Sequence, residues 1–218
     1  MIMKTSGKSS PATANPPLVV IVDDDPAVRE SLDSLIRSIG LATRLLGSPA
    51  ELSHGSLPDV PGCIVLDVRL PGISGLDFQD QLARQGIALP IIFMTGHGDI
   101  PMTVRAMKAG AVDFLSKPFR DQEMLDAVMA AIERDRQRRS ATAALDEQRA
   151  AFATLSARER EVMTHVVAGL MNKQVAGVLG LSEITVKIHR GNVMRKMGVR
   201  TLADLVRAAE VLGLSKPS

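Results

Sequence analysis

The stretch "LVVIVDDDPAVRESL" (residues 18–32) sets three consecutive aspartates, Asp23, Asp24 and Asp25, directly after an unbroken apolar run. The run is short and rich in β-branched residues, which is typical of a strand buried on both faces of a sheet. Pro26 then stands where a first helical turn begins, and the apolar residues after it recur with helical spacing. The stretch therefore predicts a strand, an acidic strand end and a helix. Adjacent carboxylates repel one another, so this strand end needs a partner that neutralises them.

The same alternation continues through the first half of the chain. Further apolar runs are LATRLL (41–46), CIVLDV (63–68), IIFMT (91–95) and AVDFL (111–115), of which the first is the weakest. Helical patterns separate them, as in segments 75–84 and 99–109 and in the apolar stripe Val28, Leu32, Leu35, Ile36 and Ile39. Strands that are apolar on both faces and alternate with helices predict an α/β fold, with a five-stranded parallel sheet covered on two sides.

Charge and composition divide the chain and narrow its partners. Residues 18–133 carry 9 Lys/Arg against 16 Asp/Glu, whereas residues 134–218 carry 15 against 8. Two domains are therefore predicted, of which the basic one has a polyanionic partner. Residues 1–17 contain Lys, Ser, Thr, Ala and Pro and are interpreted as a flexible leader. The longest apolar run near them is too short for a signal peptide or a membrane span. A single cysteine, Cys63, is predicted to be a small buried hydrophobe, and a cytoplasmic protein without a membrane partner is expected.

Polar side chains stand at the predicted carboxyl ends of the strands, where ligands gather in parallel α/β sheets. They are Asp23, Asp24, Asp67, Thr95 and Lys117. Converging carboxylates suit Mg²⁺, and a hydroxyl and an ammonium suit phosphoryl oxygens, so the set predicts phosphoryl transfer to an aspartate. Each residue alone has an ordinary structural alternative, and for Asp25 a helix cap or a plain surface position is favoured. The coincidence at matching strand ends favours the functional interpretation.

The motifs "VDDDPAVRESL", "LDVRLPGISGLD", "TGHGD" and "AVDFLSKPF" make residues 18–135 resemble the receiver domain of two-component response regulators, particularly its FixJ-like branch. The resemblance implies a flavodoxin-like fold, Asp67 as phosphoryl acceptor, and Mg²⁺ held by Asp23, Asp24, Asp67 and the backbone carbonyl of Arg69. It also implies that Thr95 and Lys117 bind the phosphoryl group, that the Lys117–Pro118 peptide is cis, and that Phe114 is a switch residue responding to Thr95. An ordinary core ring is the alternative for Phe114, and His97 is interpreted as loop structure.

No Gly or Pro occurs between Pro118 and Gly169, and we interpret residues 134–153 as a mostly helical linker between the receiver domain (18–133) and a helical domain (154–218). Four short helices are predicted there. Their cap signals are Ser156 with Glu159, Asn172, Ser182, and Thr201 with Asp204. Only the turn "GLS" separates the second and third helices, which is the spacing of a helix-turn-helix.

The third of these helices is predicted over residues 183–197. Val186, Val193, Met194 and Met197 can face the core, while several donors lie on its other sides. Such a helix alone is more often merely solvated, but the capped turn before it and the basic charge favour the major groove of DNA.

The motif "LSEITVKIHRGNVMRKMGV" within residues 153–215 resembles the LuxR-type (NarL/FixJ) DNA-binding domain. The resemblance implies that Lys187 and Ile188 approach base edges and that phosphates are contacted mostly by Asn172, Lys173, Thr185, Arg190 and Lys196. Whether His189 reads DNA or supports the fold stays open. Gly191 departs from the pattern of some relatives. A glycine inside a helix costs about 1 kcal/mol relative to alanine, and this one either permits close approach of DNA or loses a contact.

These predictions together describe a transcriptional response regulator that a sensor histidine kinase phosphorylates at Asp67 in the presence of Mg²⁺. Phosphorylation would remodel the face of the fourth helix, fifth strand and fifth helix. Homodimer formation, release of the DNA-binding domain, or both would then raise affinity for double-stranded promoter DNA. One alternative is an aspartyl-phosphate phosphatase, which would need an aspartate where Arg69 stands; another is a phosphorelay adaptor, against which the basic helix-turn-helix argues. No enzymatic activity is expected beyond slow self-catalysed phosphorylation and dephosphorylation.

Overall fold

The computed structural model describes residues 15–53, 57–96 and 100–214. The chain divides after Arg139 into two compact units. Most of the predicted leader, residues 1–14, and the predicted loop residue His97 lie outside the described residues. Among the residues that are described, no helix is both long and apolar enough to cross a membrane.

A five-stranded parallel sheet forms the centre of the first unit, which confirms the predicted fold. In chain order the strands of the unit are β1 (Leu18–Val22), β2 (Ala42–Leu46), β3 (Gly62–Asp67), β4 (Arg69–Leu70), β5 (Ile73–Ser74), β6 (Ile91–Thr95) and β7 (Asp113–Ser116). The sheet has the order β2-β1-β3-β6-β7, whereas β4 and β5 form a separate antiparallel hairpin. Because β1 and β3 are parallel neighbours, their carboxyl ends, with Asp23 and Asp67, meet at one edge.

Helices cover both faces of this sheet. They are α1 (Pro26–Ser38), α2 (Ala50–Ser53), α3 (Gly75–Arg84), α4 (Ile100–Lys108) and the long α5 (Asp121–Ala153). Successive strand residues point to opposite faces, so Val65 and Leu66 of β3 enter different cores. Val65 packs with Ile36 of α1 and Val128 of α5, while Leu66 packs with Phe78 of α3. The strands are apolar on both faces because each face has its own layer of helices.

Two details of the first half differ from the prediction. Ile39, the last member of the predicted stripe, is 42% exposed, because α1 ends at Ser38 and Gly40 adopts a left-handed φ of +82° that turns the chain. The fifth strand of the sheet begins at Asp113, not at residue 111. Cys63 is fully buried as predicted, and burial, together with the charge of Asp135, raises the pKa of its thiol to about 12. This thiol therefore stays protonated.

A buried carboxylate, Asp135 of α5, holds that helix against the sheet. The backbone N–H of Gly62, the first residue of β3, donates to it at 3.1 Å. Arg138 Nη2 and Arg139 Nε donate at 2.7 and 2.8 Å. A fully buried charge is tolerated because it is paired and hydrogen-bonded in this way. Both arginines are thus ion-paired with the same buried carboxylate.

The second unit contains four short helices after the end of α5, as predicted. They are α6 (Ala157–Val167), α7 (Asn172–Leu179), α8 (Glu183–Lys196) and α9 (Leu202–Val211). Their common core includes Val162, Val175, Val186, Val193 and Leu205, all nearly inaccessible to solvent. The side chains of Ala151 and Phe152, near the end of α5, pack against this core. The short helices are thus held together by one shared apolar centre.

Three of the four predicted caps are confirmed and one is wrong. Ser156 with Glu159 and Thr201 with Asp204 form capping boxes, and Ser182 Oγ accepts the N–H of Thr185. Asn172 does not cap α7; it is the first residue of the helix, and Met171 holds the cap position. The side chain of Gln174 reaches back and accepts the N–H of the cap residue Met171 at 2.8 Å.

Candidate functional site

Three carboxylates converge at the carboxyl edge of the sheet. Asp23 and Asp24 follow β1 and Asp67 ends β3, and one carboxylate oxygen from each lies within 4.8 Å of the others. Asp23 is 1% exposed and Asp67 8%, whereas Asp24 is open to solvent. The structure therefore brings together the acidic residues that the sequence predicts, with a buried wall and one accessible side.

The three consecutive aspartates have three different environments. Asp23 Oδ1 accepts the N–H of Asp25 at 2.9 Å, which fixes the buried side chain to its own turn. Asp25 points away from the cluster and caps α1, accepting the N–H of Ala27 at 2.8 Å. The capping role favoured for Asp25 is thus confirmed. Of the three consecutive aspartates, only Asp23 and Asp24 join Asp67 in the acidic cluster.

The ammonium of Lys117 lies between two of these carboxylates. Its Nζ is 2.7 Å from Asp23 Oδ2 and 2.5 Å from Asp67 Oδ2. Burial alone would lower the pKa of Lys117, but hydrogen bonds to both carboxylates outweigh it and raise the pKa, so the ammonium is charged at neutral pH. Burial raises the pKa of Asp23 despite the opposing bond from Lys117. The peptide between Lys117 and Pro118 is cis, as the resemblance implies.

The backbone around Asp67 is tightly constrained. Asp67 Oδ1 accepts the N–H of Arg69 at 2.8 Å, and the side chain of Arg69 is exposed. On the other side, Gly75 begins α3 so close to β3 that an added Cβ would lie 2.7 Å from the carbonyl oxygen of Asp67. Any side chain at position 75 would displace this strand end. Glycine at this position therefore helps to place the carboxylate of Asp67.

Thr95 and Phe114 extend the site along β6 and β7. Thr95 ends β6 and is fully buried, and its carbonyl accepts the backbone N–H of Lys117 at 2.7 Å. Phe114 is half-buried against the core, with its ring centroid 6.3 Å from that of Phe93 and the planes inclined at 44°. Thr95 and Lys117 thus share one edge with the acidic cluster. The ring of Phe114 packs against the core on one side and remains partly exposed to solvent.

The cluster has the chemistry of a Mg²⁺ site. Its donors are carboxylate oxygens, and hard dications take oxygen ligands, often from one or two carboxylates with water completing the shell. Asp24, on the open side, gives such an ion access to solvent water. The ammonium of Lys117 also neutralises part of the negative charge of Asp23 and Asp67, so Mg²⁺ would not be the only cation that stabilises these carboxylates. The residues present therefore fit Mg²⁺.

The predicted DNA-contacting residues fall into two groups in the second unit. Lys173, Lys187 and Ile188 are exposed, and Ile188 has 58% of its surface accessible. Asn172, Thr185 and Arg190 are half-buried and mutually organised: Arg190 Nη1 donates to Asn172 Oδ1 at 3.1 Å, and the Thr185 hydroxyl lies 2.8 Å from the capping Ser182 Oγ. The first pair links α7 to α8. The second pair lies within the first turn of α8.

Lys196 is engaged inside the second unit. Its ammonium lies 2.6 Å from Glu159 Oε2 and 3.2 Å from the carbonyl oxygen of Thr154. Glu159 is also the acceptor of its own capping box, with the N–H of Ser156 at 2.8 Å. The ion pair ties the end of α8 to the start of α6. Sequence reasoning recognised the capping box but missed this pair, because the two residues are far apart in the chain.

We expect the pair between Glu159 and Lys196 to make the second unit sensitive to acid. The Lys196 bond, with the Ser156 N–H, lowers the pKa of Glu159 to about 2 from its ordinary 4.5. Stability from this carboxylate is complete above pH 4.5 and is lost as the pH falls toward 2. NMR titration of the Glu159 carboxyl carbon in the full chain should give the low pKa.

Urea unfolding at a series of pH values provides a second measurement. The urea midpoint of Glu159→Gln should fall less steeply with decreasing pH than the midpoint of the wild type over this range. Glu161→Gln, which removes an exposed carboxylate of the same helix, should retain the wild-type slope; equal slopes for all three proteins would contradict the expectation.

The structure shows the surroundings of His189 and Gly191, the two residues of α8 whose roles the sequence leaves open. His189 is half-buried, and its Nδ1 is enclosed without a hydrogen-bond partner among the described residues, so this atom faces the protein. Gly191 is exposed, and an added Cβ would meet no atom within 4 Å. Packing within the second unit therefore does not require glycine at position 191.

Comparisons with known proteins agree along most of the chain. The family model described as the response regulator receiver domain matches residues 19–129, and the one for bacterial regulatory proteins of the luxR family matches residues 153–209. Nodulation protein W of Bradyrhizobium diazoefficiens is 62% identical over 198 residues, covering 91% of this chain and 87% of that protein. The transcriptional regulatory protein FixJ of Azorhizobium caulinodans is 46% identical, with 90% and 93% covered.

Solved structures give the same result. The response regulator StyR superposes with a TM-score of 0.81 at 47% identity, covering 89% of this chain and 98% of that one. Full-length FixJ from B. japonicum has a TM-score of 0.56 at 38% identity, covering 93% and 100%. The chain therefore belongs to the transcriptional response regulators that join a receiver domain to a LuxR-type DNA-binding domain.

Proposed function

We propose that this response regulator accepts a phosphoryl group on Asp67 from a sensor histidine kinase and thereby gains affinity for promoter DNA. The observation that carries the proposal is the placement of Asp67 at the sheet edge with Asp23, Asp24 and Lys117 around it. Asp67 keeps 8% of its surface exposed and is held by two hydrogen bonds. Since the proposed target is DNA, the cytoplasm is the proposed site of action.

The proposed chemistry is a transfer between two side chains. An oxygen of Asp67 forms a bond to phosphorus while the bond from phosphorus to the imidazole nitrogen of the kinase breaks, and the nitrogen keeps the electron pair. Mg²⁺ held by Asp23, Asp24, Asp67 and the Arg69 carbonyl would neutralise phosphoryl oxygens. Lys117 and the Thr95 hydroxyl would bind the product. Arg69 offers no carboxyl acid or base at its position, so only slow self-catalysed loss of the phosphoryl group is proposed.

A groove beside the acceptor fits a partner of the kinase type. It has a volume of about 410 Å³, and Lys117, which bonds Asp67, forms part of its wall. Its other lining side chains are mainly apolar and include Val28, Leu32, Leu35 and Phe119. An apolar groove next to a charged acceptor suits a helix that delivers a reactive group. We propose this groove as the docking surface of the kinase.

The proposed output combines dimer formation and DNA contact. Along α4, Ile100 is 81% exposed, and Val104 and Met107 are 44% and 45% exposed, which gives the face of α4, β7 and α5 an apolar surface for a homodimer. In the second unit we propose that Lys187 and Ile188 approach base edges. Phosphate contacts are proposed for Asn172, Lys173, Thr185, Arg190 and Lys196. The bond from Lys196 to Glu159 also positions α8.

The proposed function is tested by measuring DNA affinity with and without a phosphodonor. Duplexes are first selected from a random pool by the full-length chain in the presence of Mg²⁺ and acetyl phosphate. Because allosteric coupling commonly amounts to about 5- to 150-fold, a rise of this size is expected when both reagents are added. Affinity should also fall steeply with salt concentration, since phosphate contacts release counterions. Binding that is identical with and without phosphodonor and Mg²⁺ would contradict the proposal.

A further inference from the structure

One face of α8 is exposed along its whole first half. Lys187 and Ile188 follow Ile184 by three and four residues, and Gly191 follows them by four and three, so all four positions lie on the same side of the helix. Val186 and Val193, which are 0% and 1% exposed, fix the opposite side in the core. The orientation of α8 is therefore settled by packing, and this face is the one it presents outward.

The first two turns of this exposed face carry two large apolar side chains. Ile184 is 74% exposed, more than any other large apolar side chain of the described part of the second unit, and Ile188 is 58% exposed. Single exposed apolar residues are ordinary. Here two β-branched residues stand one turn apart with the ammonium of Lys187 beside them. The two isoleucines are stiff at χ1, so each holds its methyl groups in a nearly fixed place.

The apolar part of the face ends before Gly191. That position projects no side chain, and the protein itself leaves open space there. The next exposed side chain on the same side of the helix is Arg195. The apolar surface available for reading DNA is thus confined to the first two turns of α8, where it consists of Ile184 and Ile188 with the ammonium of Lys187 beside them.

We infer that α8 recognises thymine methyl groups through Ile184 and Ile188, next to a guanine bound by Lys187. In the major groove, thymine alone presents a C5 methyl group, and apolar side chains contact it. Guanine presents the acceptors O6 and N7, which suit lysine. Ile184 is a specificity-determining residue in this assignment, beyond the DNA contacts that the sequence predicts. The inference rests on the proposed function, because it requires that the chain binds DNA through α8.

The test removes the methyl groups from the DNA one at a time. Duplexes selected by the full-length chain with Mg²⁺ and acetyl phosphate are resynthesised with deoxyuridine in place of each thymine, which keeps base pairing and deletes only the methyl. Because one buried methylene-sized group contributes about 0.8 kcal/mol, an approximately fourfold loss of affinity is expected at each of two thymines in a half-site. Ile184→Ala should bind the unmodified duplex more weakly and become indifferent to deoxyuridine at one of these positions. It should keep the wild-type loss at the other, where Ile188→Ala becomes indifferent.

Val211→Ala is the matched control, because Val211 is a β-branched residue of the same unit, 58% exposed, on α9. It should retain the wild-type response at every thymine. If the wild type binds selected duplexes but tolerates deoxyuridine at all positions, the inference is overturned while the proposed function stands. The inference is also overturned if Ile184→Ala keeps full sensitivity at both thymines. If no duplex is enriched from the pool by the phosphodonor-treated chain, the proposed function fails and the inference fails with it.

Discussion

Asp67→Asn is expected to take up no phosphoryl group under conditions in which the wild type is phosphorylated. The amide is neutral and lacks the anionic oxygen that must bond to phosphorus, so the loss should be complete rather than partial. The amide retains nearly the shape of the carboxylate, and an oxygen can still accept the N–H of Arg69. Folding should therefore survive the change. Mass spectrometry of the intact chain after incubation with acetyl phosphate and Mg²⁺ measures the uptake directly.

The control for this variant lies in the same run of aspartates. Asp25→Asn changes the charge of a residue that caps α1 and stands outside the acidic cluster, and asparagine caps helices about as well as aspartate. It should be phosphorylated like the wild type. Phosphoryl uptake by Asp67→Asn at the wild-type level would assign the acceptor to another residue.

Lys117→Met should make the receiver domain depend on Mg²⁺ for its stability. Lys117 neutralises the carboxylates of Asp23 and Asp67, of which the first is almost fully buried. Removing one partner of a buried pair commonly costs 3–5 kcal/mol; because the Lys117 side chain is 23% exposed, we expect a smaller loss of about 2 kcal/mol in the free energy of unfolding without Mg²⁺. Added Mg²⁺ should then stabilise the variant more than the wild type, since the ion replaces the missing cation.

Urea unfolding followed by circular dichroism, with EDTA or with Mg²⁺, measures this difference. Lys108→Met is the matched control, because Lys108 is the other lysine within residues 18–133 and is exposed on α4. It should change neither the stability nor its response to Mg²⁺. An equal Mg²⁺-induced stabilisation of Lys117→Met and the wild type would show that Lys117 does not neutralise the cluster.

The sheet could be predicted from the sequence because each strand is marked by a short run of neighbouring apolar residues. Apolar runs identified the strands, and parallel pairing then brought residues at their carboxyl ends to one edge. The predicted cluster of Asp23, Asp24 and Asp67 follows from this geometry alone. The caps of α6, α8 and α9 could be predicted for the same reason, since each depends on two residues that are three positions apart in the sequence.

Contacts between distant positions could not be predicted in this way. The bonds from Gly62 to Asp135 and from Lys196 to Glu159 join residues far apart in the sequence, and neither has a local pattern. Arginine and lysine side chains are usually solvated, so the sequence does not indicate which of them form buried ion pairs. Asn172 failed as a cap for a different reason: it is itself the first residue of α7, and its side-chain oxygen accepts a hydrogen bond from Arg190 of α8.

Helix α5 has a practical consequence for anyone who wishes to cut this protein into its parts. The match to the luxR family begins at residue 153, immediately after Phe152, whose ring packs on the helical core and lies 5.2 Å from the guanidinium carbon of Arg160. A fragment designed from the match alone would lose that ring and Ala151. A fragment starting at Ser140 keeps both, and one ending at Arg139 keeps the buried Asp135 with its two arginine partners. A fragment boundary that leaves both apolar cores complete therefore lies inside α5, at Ser140. This is thirteen residues before residue 153, where the match to the luxR family begins.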